Sequence, residues 1–300
     1  MPFSLPKVAL KAVPGHARGA WQVWSLVKGL NVSELAEAAE KPFHLALVGA
    51  KDHTDLLAGR LALESALPRD LGPSGPADIS AFVHSYPAEA DVPMDSLMLD
   101  AETLAGSEAE LAATLAGMAA AHPDLRVSLA RHVPAFRPAV ATLLINEASK
   151  ENAKLAMLSA LPGVIPFTDF LLPATSLGDM ILLTKNQGLL LLSLAAVYGK
   201  EVDLKARTRE LLPVVGSAFG WRTVARQLIG LVPGGVGVVV KGAVSYAGTY
   251  TVGKSAMLYY STGQTLSGPR LQQMYRDALR DGVARALPLT QSVTKRLKRS

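Results

Sequence analysis

Two long blocks in the second half of this chain are almost free of charge, and they set the terms on which it can fold. Residues 155–199 carry only Asp169, Asp179 and Lys185 as charged side chains, and residues 227–263 only Lys241 and Lys254. Apolar surface on this scale has to leave water, either in a helical core or against lipid. A membrane-spanning helix needs about 18–20 predominantly apolar residues, and no fully uncharged run here is that long. Residues 178–199 have the length, with Asp179 at one end and Lys185 able to reach the interface along its alkyl stem. Residues 227–253 pose the same choice, with Lys241 as the obstacle. A Pro/Gly-interrupted hairpin dipping into one leaflet is a third arrangement.

Within the first block Pro162, Pro166 and Pro173 break any helix, because proline lacks an amide donor and clashes with the preceding turn. Residues 178–198 then read as a leucine-rich helix stopped by Gly199. In the second block Pro233-Gly234-Gly235 predicts a turn into a helix. On that helix Ala243, Ala247, Thr251 and Ser255 recur every four residues, as do Ser245, Thr249 and Gly253. Small residues at this spacing let helices approach closely, in membranes and in tightly packed soluble bundles alike. After Ser267-Gly268-Pro269 comes an amphipathic helix over 270–287, and the chain closes on "TKRLKRS". Lys295, Arg296, Lys298 and Arg299 are read as a lipid-facing basic tail, each charge gaining about 1 kcal/mol near an anionic leaflet. The competing reading is a solvated terminus.

The first half is patterned differently. Strand character appears at 43–48, 79–85, 96–99 and 125–130, with helical patterns at 54–67 and 108–121 between strands and a loop at 67–78. A helix is expected over 17–40 and another over 138–154. Strands alternating with helices predict a small, mostly parallel sheet. The fold class is therefore an α/β N-terminal domain plus an all-α hydrophobic C-terminal domain. The segments are an N-terminal helical piece (1–40), the α/β domain (41–135), the helical, apolar, membrane-associated domain (136–290) and the basic tail (291–300). Residues 1–150 carry a net charge of −5 and residues 151–300 a net of +10, so an anionic partner is expected for the second half. The absence of cysteine excludes disulfides and thiolate chemistry. Lys7 and Lys11 interrupt any signal-like run, which makes the cytoplasmic side the expected compartment.

Strand 43–48 runs into Gly49 with a helix soon after, the frame of a phosphate-binding loop. Such a loop continues with four residues and then Gly-Lys-Ser/Thr. Glycine lets amides face the phosphates, lysine neutralises their charge and the hydroxyl holds magnesium. Those three places hold Thr54, Asp55 and Leu56. Thr54 adds a side chain, Asp55 repels phosphate and Leu56 cannot bind a metal; Lys51 lies inside the loop and does not substitute. Asp55 reads better as an acid near a helix N-terminus. Asp100 ends a strand where a GTPase places its metal-facing aspartate, yet the glycine expected three residues on is Thr103. Where guanine recognition needs Asn-Lys-x-Asp the chain reads Arg131-His132-Val133-Pro134. The six histidines, His16, His44, His53, His84, His122 and His132, show no metal-ligand spacing. His53 and Asp55 beside a loop have no nucleophile motif to work with. No catalytic residue, metal site or cofactor is assigned, and no specific nucleic-acid motif is present.

The second half, from "LPGVIPFTDF" through "LTKNQ" and "VPGG" to "AGTYTVGKSA", strongly resembles a bacterial domain family of unknown function. That domain occurs C-terminal to Era- or dynamin-like GTPase domains and in YcjF-type inner-membrane proteins. The matching features are the proline-rich lead-in with Asp169, Gln187 in "LTKNQ", Tyr198-Gly199, Glu210, Val232–Gly235 and the "AGTYTVGKSA" helix, over residues 150–265. The resemblance implies that "KPFHLALVGA" occupies the GTPase position, as a degenerate P-loop GTPase-like domain, and it implies association with the cytoplasmic face of the inner membrane. The expected role is a non-catalytic scaffold or regulatory protein with a protein partner, which includes a second copy. The alternatives are a nucleotide-dependent switch or hydrolase with an unorthodox site, and a soluble module binding an acidic partner or nucleic acid. Asp169, Lys185, Gln187 and Lys241 are then polar groups that need partners in an apolar setting.

Overall fold

A computed structural model describes residues 32–62, 81–92, 94, 96–104, 106–158, 175–203 and 237–297. In chain order these form α1 (Val32–Ala39), β1 (Phe43–Val48), α2 (Lys51–Arg60), β2 (Ala81–Tyr86), β3 (Leu97–Asp100) and α3 (Ala101–Leu104). There follow α4 (Glu108–Ala121), α5 (Arg126–His132), a 3-10 turn (Pro134–Phe136), α6 (Arg137–Leu158), α7 (Thr175–Val197), α8 (Gly237–Thr262) and α9 (Gly268–Leu297). The protein is mostly helical, with one small sheet of three parallel strands in the order β2-β1-β3. The expected helix at 17–31, the loop at 67–78, the three helix-breaking prolines, Asp169, Glu210, the 232–235 turn, Lys298 and Arg299 lie outside the described residues.

The central strand shows why the sheet forms where it does. Phe43, Leu45 and Leu47 are all buried on one face; on the other His44 is exposed and Ala46 is buried, so this central strand is covered along one face and partly on the second. Val83, Leu97 and Leu99 extend that apolar face, and the buried side chains of α2, α3, α4 and α5 join the same cluster. On the opposite face Met98 and His44 are exposed. The fourth expected strand, 125–130, is instead α5. Its "RVSLA" alternates like a strand, but Val127, Ser128, Leu129 and Ala130 are all buried. A short apolar run of this kind carries both periods, and neighbouring helices on every side decide for the helix. Ser128 seals that position by donating to the Lys41 carbonyl at 2.6 Å.

The apolar cluster does not stop at the sheet. It continues through Phe136, Val140 and Ile145 to Leu190, Leu194 and Ala256, so the α/β layer and the helical bundle share one core. In the bundle α8 runs antiparallel to α6, with Gly242 against Met157 and Gly253 against Ile145. The two small-residue lines on α8 are its two packing seams. Ala243, Ala247, Thr251 and Ser255 are all buried; Ala243 meets Gly282 of α9, and Ala247 clusters with Leu271, Tyr275 and Ala278. The other line, Ser245, Thr249 and Gly253, faces α6, where Ser245 donates to the Asn152 carbonyl. The described parts of the two apolar blocks, 185–199 and 237–263, thus pack against helices of the same chain. Among the described residues no helix is long and apolar enough to cross a membrane.

The polar residues of these helices divide into two groups. Lys185 and Lys241 are exposed, on faces turned away from the bundle, and so do not sit in the apolar setting expected for them. Gln187 does: its amide donates to the Thr249 hydroxyl at 3.2 Å. Asn152, fully buried, donates to the same hydroxyl at 2.9 Å and accepts from Asn186 at 2.8 Å. The "LTKNQ" stretch therefore places two consecutive amides in a network that ties α6, α7 and α8 together. At the foot of α7, Gly199 (φ +73°) lets the chain turn left-handed, with its amide on Ala196 and that of Lys200 on Ala195. This is a Schellman stop. Arg131 reinforces it by donating to the Lys200 carbonyl at 2.9 Å.

Asn152→Ala removes one of the two amide donors to Thr249 and the acceptor of the Asn186 amide, and we expect it to cost about 1–3 kcal/mol in urea or guanidinium unfolding. Lys185→Ala, at an exposed position, should stay within about 0.5 kcal/mol of the parent. Equal effects of the two would show that the network does not hold the helices together.

Candidate functional site

In open α/β sheets ligands bind in the crevice beyond the carboxyl ends of the strands. Here Val48, Tyr86 and Asp100 stand level at that edge. Gly49 follows with φ +147°, Ala50 is extended, and α2 begins at Lys51. Two residues join strand to helix, which is too short for a loop that wraps a phosphate with successive free amides. Thr54, expected in that loop, lies in the helix, 2% exposed. Its amide donates to Ala50 and its hydroxyl to the Lys51 carbonyl, both at 2.9 Å. Asp55 and Leu56 are exposed on the outer side of α2. The turn after β3 packs closely against Gly49: a Cβ there would lie 3.3 Å from Ala101 Cβ and 3.4 Å from Glu102 Cγ.

Asp100 is held by that same turn. Its Oδ1 accepts from the amides of Glu102 (3.0 Å) and Thr103 (3.3 Å), and its Oδ2 accepts from the Thr103 hydroxyl at 2.6 Å. The Thr103 hydroxyl and amide hold the Asp100 carboxyl below the usual carboxylate range. Thr103 stands where a GTPase has glycine, so the departure from that pattern and the engagement of Asp100 are one feature. Both oxygens serve as the cap of α3.

The Arg131-His132 pair, read at the guanine-recognition position, belongs to the last turn of α5. Arg131 Nε lies 2.7 Å and His132 Nε2 3.5 Å from the two oxygens of Glu40, docking the end of α1 on α5. Phe43 lies beside the imidazole, with ring centroids 6.3 Å apart. Burial lowers the His132 pKa from its ordinary 6.5, with Glu40 pulling the other way and Arg131 adding to the depression. The fold therefore favours neutral His132, and below the ordinary value the unfolded chain takes up the proton first. The contribution is intact above that value and is lost as pH falls through it toward the lowered native one. We expect the melting temperature to drop as pH falls below about 6.5, where the unfolded histidine takes up its proton, and His132→Gln to flatten that part of the curve. Parallel curves for parent and variant would remove His132 as the cause.

One further stretch has the composition of a phosphate loop. Gly248, Gly253, Lys254 and Ser255 spell Gly-x-x-x-x-Gly-Lys-Ser without a departure, a signal hidden within the small-residue pattern of a packing helix. In the structure they lie within α8. Their amides belong to a continuous helix, Ser255 donates to the Thr251 carbonyl at 2.7 Å, and Gly253 is pressed against Ile145 and Leu190. Lys254 reaches sideways: its Nζ lies 3.4 Å from the Thr142 hydroxyl and 5.8 Å from the Tyr250 ring centre, and burial lowers its pKa. Among the described residues no group of three or more acidic or histidine side chains is placed to hold a metal ion. Comparison of the chain with family models, curated proteins and solved structures finds no match.

The two glycines separate the readings of this stretch. A Cβ at 248 meets nothing within 4 Å, whereas one at 253 falls 2.7 Å from Ile145 Cγ1. Gly248→Ala should stabilise the protein by about 0.5–1 kcal/mol through helix propensity. Gly253→Ala should destabilise it by about 1 kcal/mol or more through overpacking. Both are read by chemical denaturation. Loss of stability in both variants would show that α8 is not the plain helix described.

Proposed function

We propose that this chain is a non-catalytic, membrane-associated scaffold or regulatory protein, built from a pseudo-GTPase α/β layer and a YcjF-like helical bundle. The observation that carries the non-catalytic part is the end of β1. Two residues join it to α2, and Asp100 commits both oxygens to its own turn. A triphosphate would need free amides where α2 has helical hydrogen bonds, and magnesium would have to displace Thr103 from Asp100. The membrane part rests on the net charge of +10 in the second half and on the basic end of the chain. A surface contact with the cytoplasmic face needs no spanning helix. The partner is that anionic face together with a protein, a second copy included.

Titration of the full chain with fluorescent GTP and ATP, with and without magnesium, should give no saturable binding. Saturable, magnesium-dependent binding that Asp100→Ala abolishes would replace the scaffold with a nucleotide switch or hydrolase. In detergent-free flotation the chain should rise with the membrane fraction. Full recovery in the soluble fraction would leave an interaction module for an acidic protein or a nucleic acid.

A further inference from the structure

Among the described residues the half-buried basic side chains are Arg60, Arg126, Arg131, His132, Arg137 and Lys254. All but the last are answered by an acid or a carbonyl. Arg60 pairs with Glu108, Arg126 with Glu147, and Arg131 and His132 share Glu40. Arg137 donates to the carbonyls of Ala130 and Arg131. Lys254 has neither. Its Nζ lies 3.4 Å from the Thr142 hydroxyl of α6, 3.8 Å from the Met257 sulfur and 5.8 Å from the centre of the Tyr250 ring.

The groups that face this amine are thus a hydroxyl from α6 and a thioether and a phenol ring from α8. None of them is an opposing charge. A partly desolvated ammonium in such a setting is costlier than the neutral amine. Burial accordingly lowers the Lys254 pKa, and no carboxylate pulls it back. The side chain is not sealed off, since part of it still meets solvent. A desolvated lysine that solvent can reach keeps its lone pair available more of the time than one in water, which is how proteins make nucleophilic amines.

We propose that Lys254 is a modification site, acylated on Nζ by a small acyl phosphate at the rim of the α6–α8 seam. This goes beyond the scaffold reading and does not depend on it. The neutral amine attacks the carbonyl carbon of the donor. A C–N bond forms, the C–O bond to phosphate breaks, phosphate leaves with that electron pair, and the nitrogen gives one proton to solvent. An anionic donor suits this half of the chain, whose net charge is +10. The amide formed carries no charge and keeps one N–H for Thr142, so the seam holds it at less cost than the ammonium.

The test is site-resolved mass spectrometry of the full chain incubated with acetyl phosphate. Lys150, Lys185 and Lys200, all exposed, serve as references. Near pH 7 Lys254 should be acetylated roughly threefold or more faster than each of them. The ratio should shrink as pH rises and the reference amines lose their protons too. In urea all four should react alike. Thr142→Glu places a carboxylate beside the amine and should bring Lys254 down to the reference rate; Thr142→Gln, of the same size and neutral, should keep the preference. Lys254 reacting no faster than the references in the folded chain would overturn the proposal, as would a preference that persists in urea. So would a preference that survives Thr142→Glu, or one that Thr142→Gln removes as completely.

Discussion

The hydroxyl of Thr249 accepts hydrogen bonds from Asn152 and from Gln187, and this junction sets the depth at which three helices meet. Asn152 is fully buried, so each of its amide groups must be paired inside the protein. Sliding α8 by one turn would break the contact to both amides and leave them in an apolar interior. One turn further along, Gly253 allows Ile145 and Leu190 to close on the backbone of α8. The hydrogen bonds give the register and the small residues give the distance. α9 can seat on the far side of α8 only because the near side is already fixed. Through Ile145, Val140 and Phe136 the same core reaches β1, and the sheet has no separate foundation.

At the carboxyl end of that sheet, the two threonines that depart from a nucleotide site each have a structural occupation. Thr54 bonds back into its own helix, Thr103 caps α3 together with Asp100, and Ala101 and Glu102 fill the space against Gly49. A nucleotide protein leaves this edge open and lets the ligand satisfy its amides and carboxylate. Here the chain satisfies them itself, with short-range bonds that require no ligand to be stable. That closure is why we place the function on surfaces and not in a pocket.

Much of this was legible in the sequence where a single period dominates. β1 and α4 fall on their expected residues, and Gly199 ends α7 as expected, because strand character, helical periodicity and an unhindered left-handed turn are local effects. The small-residue lines on α8 also announced close packing, although not which helices would meet them. Residues 125–130 were misleading, since "RVSLA" fits a strand as well as a helix buried on most sides. The exposure of Lys185 and Lys241 was not legible either. Whether a charge in an apolar helix faces lipid, core or water depends on which neighbours arrive, and that is a tertiary fact. The partnership of Asn152 with residue 249 was hidden for the same reason.

The two candidate phosphate loops fail in opposite ways, and together they show what the chemistry requires. At Gly49 strand, glycine and helix follow in order, but the joint is too short for the loop and the residues are wrong. At Gly248 the residues are right while the frame is a continuous helix. Phosphate is held by amides that no other group of the protein has claimed, and neither segment keeps a run of them. Lysine in the second stretch is likewise turned toward Thr142 and Tyr250, so its charge serves the seam between α6 and α8. Glycine there answers to Ile145 and Leu190. The same four residue types that bind a nucleotide in a loop bind a neighbouring helix when the backbone hydrogen bonds are already made.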